Sequence, residues 1–324
     1  MTTTTLAAAN PVIASSVAFR DMRRADLERH YAAVPWTTPR FYQSPTVLAG
    51  GGSQYRAAFV EGCLAILKWK QFYSQLVAYA FLPPMSPTGD AADERRALAE
   101  LRARGFGVML TAEDGRRLDV PASDLEPVPW NTEYIYRASH LARLEGGDWA
   151  KLRTYRNRAH RDGYRCEDSP AASTGNEDIL RLTKDWVAYR RKGGAMTGYI
   201  RALGWWPATR VFRMYDRDGG LAAFSYTEDL GPAGTVITGR LRDYARTLIH
   251  DPMQLIAHHE ALWELENRGD RLMNLGAADP VGGPGLRYHK IALNPVSTQQ
   301  IYRLAATGDP GAEPGAGEEQ MALW

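Results

Sequence analysis

Two stretches of this 324-residue chain carry residue types and spacings that could do chemistry. The first is Asp148-Trp-Ala-Lys151-Leu-Arg153-Thr-Tyr-Arg156-Asn157-Arg158-Ala-His160-Arg161, where the six Lys and Arg side chains from Lys151 to Arg165 are opposed only by Asp162. On a helix turning about 100° per residue, Arg153, Asn157 and Arg161 stand above one another, with Trp149, Arg153 and Arg156 on the adjoining stripe. Like charges at that spacing cost a few tenths of a kcal/mol per pair unless anions stand opposite. Guanidinium forks so arranged can grip phosphates in bidentate fashion. A plain solvated basic face satisfies the same spacing, and spacing does not choose between the two.

The second stretch is Arg271-Leu-Met-Asn274-Leu-Gly276-Ala-Ala-Asp279-Pro-Val-Gly282-Gly-Pro-Gly285-Leu-Arg287-Tyr-His289-Lys290. A short strand delivers Asn274 at its end, and the glycines that follow let backbone approach a ligand closely. Arg287 and Lys290, three apart, point to one side if the segment is helical; a loop whose glycines merely serve turns is the alternative. No phosphate-cradling Gly-x-x-x-x-Gly-Lys-Ser/Thr loop, Gly-x-Ser-x-Gly elbow, His-Glu-x-x-His helix or Cys-x-x-Cys pair occurs. Hydrolase, metalloprotease and zinc chemistry therefore lack support. His258-His259 are consecutive and face different ways, so no metal site is expected; Glu260 and Glu264 read as a solvated helix edge, and Trp205-Trp206 as core.

The elements that must position these residues are legible in outline. Strand-like runs cover 57–60, 63–68, 76–81 and 107–111, with a surface helix over 93–104. The proline-dotted stretch 120–130 is the best domain boundary. Beyond it come a strand at 134–136, the basic helix over 148–162, a helix over 177–192, and a hairpin from 211–215 to 221–227 turning at Asp218-Gly219. A third strand over 236–241, a helix over 250–267, strands at 271–275 and 299–304, and a glycine-rich turn at 282–286 complete the pattern. The expected organisation is a leader over 1–16, a first domain over 17–130, a second over 131–306 and a tail over 307–324 that is disordered by composition. The fold class is α/β (α+β), with each domain a mostly antiparallel mixed sheet flanked by helices.

With 44% hydrophobic and 23% charged residues, the chain has the profile of a soluble globular protein, and 33 aromatic residues exclude disorder as its main state. No apolar run approaches the length of a membrane span. A formal charge of +2 neither demands nor excludes a nucleic-acid partner. Cys63 and Cys166 read as free thiols in a reducing, cytoplasmic setting.

The order of several motifs resembles one family. Tyr134-Ile-Tyr136, Leu141-Ala-Arg-Leu144-Glu-Gly146, then Lys151 and Arg156-Asn157, are similar to its Tyr-Ile-Tyr, Leu-x-x-Leu-x-Gly and Lys/Arg-x-x-x-Arg-Asn elements. Asn274-Leu275-Gly276-Ala-Ala278 and Gly285-Leu286-Arg287-x-x-Lys290 match Asn-Leu-Gly-x-Ala and Gly-Leu-Arg-x-x-Lys, and Phe81-Leu-Pro-Pro echoes its first half. This is the family of the soluble C-terminal domain of phosphatidylglycerol lysyltransferase. The resemblance implies two tandem acetyltransferase-like (GNAT) folds and transfer of an aminoacyl group from aminoacyl-tRNA to an amine or hydroxyl. Its membrane-embedded half has no counterpart here, which points to a small-molecule acceptor, as in natural-product pathways. His289 departs from the pattern, where a small residue more often precedes the lysine.

On that resemblance Asn274, Arg287, Lys290 and Arg242 are the expected catalytic residues. Lys151, Arg153, Arg156, Asn157 and Arg161 are the expected tRNA contacts, converging with them on one cleft. Aminoacyl-tRNA is a co-substrate, and no resident cofactor or metal is expected. An acyl-CoA N-acyltransferase on the same fold, or a tRNA-binding module without activity, are the alternatives. The chain carries no signal of its oligomeric state.

Overall fold

The computed structural model describes residues 18–51, 54–72, 75–172, 175–191, 195–243, 251–277 and 283–307. The expected leader over 1–16 and the expected tail beyond 307 lie outside the described residues. The first half of the chain runs β1 (Phe19–Arg20), α1 (Arg24–Ala33), α2 (Pro45–Gly50), β2 (Tyr55–Val60), β3 (Cys63–Phe72) and β4 (Gln75–Ala80). It continues through α3 (Ala91–Ala103), β5 (Gly107–Thr111), α4 (Ala112–Arg117) and β6 (Leu125–Arg137). There follow α5 (Ala138–Arg143), α6 (Ala150–Arg161), β7 (Arg165–Pro170), α7 (Glu177–Arg190), α8 (Ala195–Arg201), β8 (Thr209–Tyr215), β9 (Leu221–Asp229) and β10 (Thr235–Arg242). The last elements are α9 (Pro252–Arg268), β11 (Leu272–Ala277), α10 (Gly283–Ile291) and β12 (Ser297–Leu304).

These elements form two compact units. One takes the chain as far as Pro35, then Gly51–Asn131 and the stretch from Gln300; the other takes Trp36–Gly50 and Thr132–Gln299. The division at Asn131 falls beside the expected boundary, but inside β6 rather than in a linker. Each unit also takes a segment that a cut into consecutive halves would give to the other: Trp36–Gly50 joins the second, and the end of β12 joins the first.

Within the first unit the strand order is β1-β2-β3-β4-β5-β12, antiparallel except for β4 and β5. Its core includes Ala58, Val60, Leu67, Leu98, Leu101, Phe106 and Val108. The helix α3 is set by Asp90, whose carboxylate caps it by accepting from the Ala92 N–H at 2.7 Å.

The second unit repeats that plan with the order β7-β8-β9-β10-β11-β6. An antiparallel meander leads into α9, whose N-terminus is set by Asp251 as cap and Pro252 at the first helical position. The chain then returns as β11, parallel to β10. One sheet face packs on α5, α6 and α9 through Leu141, Trp149, Leu152, Ile237, Ile256, Met273 and Leu275. The other holds Ile179 and Leu182 of α7 and Ile200 of α8 against Val211, Phe224 and Tyr226. Both units are thus mixed, mostly antiparallel sheets flanked by helices, the α/β class expected.

Two expectations need correction. Glu260 and Glu264 are buried, not a solvated edge. The face of α9 that meets the sheet is wider than its apolar stripe, and the Ser225 hydroxyl and Arg268 supply partners for the two carboxylates. The glycine-rich turn at 282–286 is instead largely the start of α10, because proline is tolerated in a first helical turn.

Candidate active site

Strand alternation decides which residues of β6 and β11 meet. Asn274 lies directly opposite Ile135, so Glu133, two residues along, shares its sheet face as a diagonal neighbour. Tyr134, Tyr136, Met273 and Leu275 go to the opposite face and enter the core under α9. The segment 36–50 lies against the Asn274 face. The Asn274 amide donates to Glu133 Oε2 at 2.6 Å and to the Pro39 carbonyl at 2.8 Å, while its oxygen accepts from the Gly276 N–H at 2.7 Å. Gly276 has φ +78, and a Cβ there would stand 2.9 Å from the Phe41 ring, so only glycine fits this turn-off from the strand.

Lys290 comes to the same place from α10. Its Nζ donates to the carbonyls of Leu275 and Gly276, both at 2.6 Å, and lies 5.9 Å from the centroid of the Tyr134 ring. Tyr136 completes the brace by donating its hydroxyl to the Lys290 carbonyl at 2.8 Å. Asn274 and Lys290 therefore converge, as expected, and together they hold the carboxyl end of β11. Arg287 does not join them. The segment is helical, but the line between its buried and exposed faces runs between the two residues, leaving Arg287 exposed and Lys290 buried.

Three buried residues of this neighbourhood escaped the sequence reading. Glu133 is pushed up to about 7 by burial, against the opposing pull of Asn274, the Phe41 N–H, Arg40 and Lys290. A carboxyl poised there can take or give a proton near neutrality. Arg40 is buried with its guanidinium 5.0 Å from the Trp36 ring centroid. Glu228 accepts from the Ser44 hydroxyl and from the Thr46 N–H at 2.8 Å, and burial pushes it too up to about 7. The one available signal was a glutamate at an inward position just before Tyr-Ile-Tyr. Arg40 and Ser44 gave none, since they come from a segment far from Glu133, Glu228 and Asn274 in sequence.

The expected convergence on one cleft needs correction: α6 packs on the face of the sheet that carries Tyr134, Tyr136, Met273 and Leu275, opposite to Asn274 and Glu133, because strand alternation sends neighbouring residues to opposite faces. On α6 only Leu152 and Ala159 are buried; Lys151, Arg156, Asn157, Arg158 and Arg161 are exposed. Arg161 sits 3.8 Å from Asp162, and among the described residues no carboxylate pairs with Lys151, Arg156 or Arg158. Arg153 differs from its neighbours. Its Nη1 donates to the carbonyls of Leu144 and, at 2.7 Å, of Gly146, closing the turn after α5 where Leu144 has φ +55 and Gly146 has φ +91. The Leu-x-x-Leu-x-Gly element is thus a helix stop, and Arg153 its tie. Arg242 lines a groove beside α7.

Residues 38–279, well over half of the chain, match the family described as phosphatidylglycerol lysyltransferase, C-terminal, and the chain belongs to that family. It is thereby a member of a transferase family. The match ends before Arg287 and Lys290. No curated protein matches the sequence. A conserved protein of unknown function from Bacteroides thetaiotaomicron is similar over 90% of this chain and 99% of that one, at 18% identity and a TM-score of 0.69. L-PGS from Bacillus licheniformis gives 16% identity and a TM-score of 0.66 over 91% of this chain and 95% of its own. The C-terminal domain of a putative lysylphosphatidylglycerol synthetase from Agrobacterium fabrum gives 15% and 0.62 over 88% and 92%. At these identities the likeness is one of fold. Among the described residues no helix is long and apolar enough to cross a membrane.

Proposed function

We propose that the chain is a cytoplasmic aminoacyltransferase that takes an aminoacyl group from aminoacyl-tRNA and places it on an amine or hydroxyl of a small molecule, such as a natural-product intermediate. For an amine acceptor, its nitrogen attacks the ester carbonyl, the bond to the ribose oxygen breaks and an amide forms. The nitrogen loses a proton and the ribose oxygen gains one. An ester is already activated, so orientation and charge stabilisation can supply most of the acceleration. In this reading Asn274 and Lys290 hold the end of β11 in a fixed shape, and Glu133 is the nearby group whose affinity suits the proton transfer.

The observation that carries the donor assignment is the exposed cationic face of α6, built on the same core as β11. Such a face binds phosphates with an affinity that falls steeply with salt. The test is binding and single-turnover transfer with labelled aminoacyl-tRNA, beside acetyl-CoA as competing donor. The double reversal Arg156→Glu with Arg158→Glu is expected to weaken tRNA binding at least tenfold and to flatten its salt slope by roughly two. Unchanged binding would return α6 to a solvated surface, and transfer from acetyl-CoA would replace the donor.

A further inference from the structure

His289, where the chain departs from the motif around Lys290, is given partners by two other elements. Its Nδ1 lies 3.2 Å from Asp251 Oδ2, and its Nε2 lies 3.4 Å from Arg240 Nη2. Although burial pulls Asp251 upward, the His289 ring and the Gln254 and Met253 N–H groups hold it below its ordinary value, so it is ionised. An ionised carboxylate only accepts and a guanidinium only donates, so Nδ1 carries the proton and Nε2 is bare. The flanking groups thus select one neutral tautomer. The charged groups facing the ring are Asp251 from the start of α9, Arg240 from β10 and Lys290 from α10 itself.

Both partners are anchored in turn. Asp251 Oδ1 accepts from the Met253 N–H at 3.0 Å and the Gln254 N–H at 3.4 Å, and Arg240 Nη2 donates to the Met253 carbonyl. The end of β10, the first turn of α9 and α10 therefore meet at one imidazole. The next side chain on α10 points about 100° away around the helix. It is Lys290, whose Nζ ends on the carbonyls of Leu275 and Gly276. Two neighbouring side chains fixed in different directions leave the helix a single rotation about its axis. We propose that His289 is a positioning residue for the brace: as a neutral ring clamped between Asp251 and Arg240, it sets the rotation of α10 that delivers Lys290 to the end of β11. The effect on transfer rests on the transferase reading above; the clamp itself does not.

Nitrogen-15 NMR of the full chain, labelled at its seven histidines, tests the clamp without altering His289. The expected signature near neutrality is a protonated Nδ1 and a bare Nε2, with a titration midpoint below the ordinary 6.5. Arg240→Gln should raise that midpoint, and Asp251→Asn, which still caps α9, should lower it. Hydrogen exchange over residues 286–293 reads the helix: His289→Leu should speed it roughly tenfold with α9 unchanged, and His289→Asn, which keeps a donor to Asp251, should speed it less. In single-turnover transfer His289→Leu should slow the rate roughly tenfold at unchanged tRNA affinity. A ring protonated on Nε2, a midpoint moved by neither substitution, or unaltered exchange in His289→Leu would each overturn the proposal. So would full-rate transfer by His289→Leu. Absence of transfer even in the unaltered chain, with the NMR and exchange results as expected, would sink the transferase reading and uphold the positioning of Lys290.

Discussion

The two units share a strand plan and differ in what they bury at one topological position. Where the meander gives way to the parallel strand, the first unit pairs Ala80 with Val108 and the second pairs Val236 with Asn274. Val108 is an apolar core residue among others of its kind. Asn274 is equally buried, yet its amide is engaged by Pro39, Glu133 and Gly276. The first unit does bury charge, but as ties of loops and helix ends: Glu94 accepts from Arg117 and the Ser86 N–H, and Asp114 closes the capping box with Thr111. The second unit places acids at the heart of its sheet. The contrast teaches that the same strand plan is closed by an apolar layer in one unit and by a hydrogen-bonded polar set in the other, so the second unit depends on satisfied partners where the first depends on packing.

The largest expected effect comes from making the units alike. Asn274→Val leaves the Pro39 carbonyl, the Gly276 N–H and one oxygen of Glu133 short of a partner, and should destabilise by roughly 2–5 kcal/mol in urea unfolding. The reciprocal Val108→Asn puts an amide into an apolar layer and should cost a similar amount. If Asn274→Val is neutral, the bonds around it are not holding β11.

A pH effect of intermediate size follows from Glu228. Its folded value of about 7 is above its ordinary 4.5, so between those values the folded state holds a proton that the unfolded state has released. Stability therefore falls as pH rises from about 4.5 to 7 and is flat above. Glu228→Gln should shallow that decline and gain at most about 3 kcal/mol at pH 8 relative to pH 5. Unfolding curves at the two pH values decide it, and an unaltered decline would mean that Glu228 is charged in the fold.

The smallest effect separates Arg153 from its neighbours on α6. Arg153→Ala should cost about 1 kcal/mol by loosening the turn after α5, with tRNA binding changed less than twofold. The Arg156 and Arg158 reversal should do the opposite, sparing stability and weakening binding. A loss of tRNA affinity in Arg153→Ala beyond its loss of stability would put Arg153 back among the phosphate contacts.

Local pattern reached a good part of this. The helical repeat located α6, α7 and α9 to within a few residues, since apolar spacing and caps such as Asp251 act over one or two turns. The Asp218-Gly219 hairpin was legible for the same reason. Asn274 and Lys290 were legible through the order of motifs, although their task of bracing a strand end was not. The length of β6 was not legible, because Pro127 and Pro129 are accommodated within it. Arg287 and Lys290 show the limit: their spacing was clear, but which faced inward depended on what packed against the helix.

By itself, then, the sequence determined the α/β class, most elements, the family and the presence of a basic helix. Each of these follows from periodicity or from short ordered motifs. Only the tertiary structure decided that Trp36–Gly50 would supply partners for Asn274, Glu133 and Glu228, that Glu260 and Glu264 would be buried, and that Arg153 would be a tie rather than an open cation. Such outcomes depend on desolvation and on contacts between residues far apart in the chain, and neither is written in the spacing of neighbours.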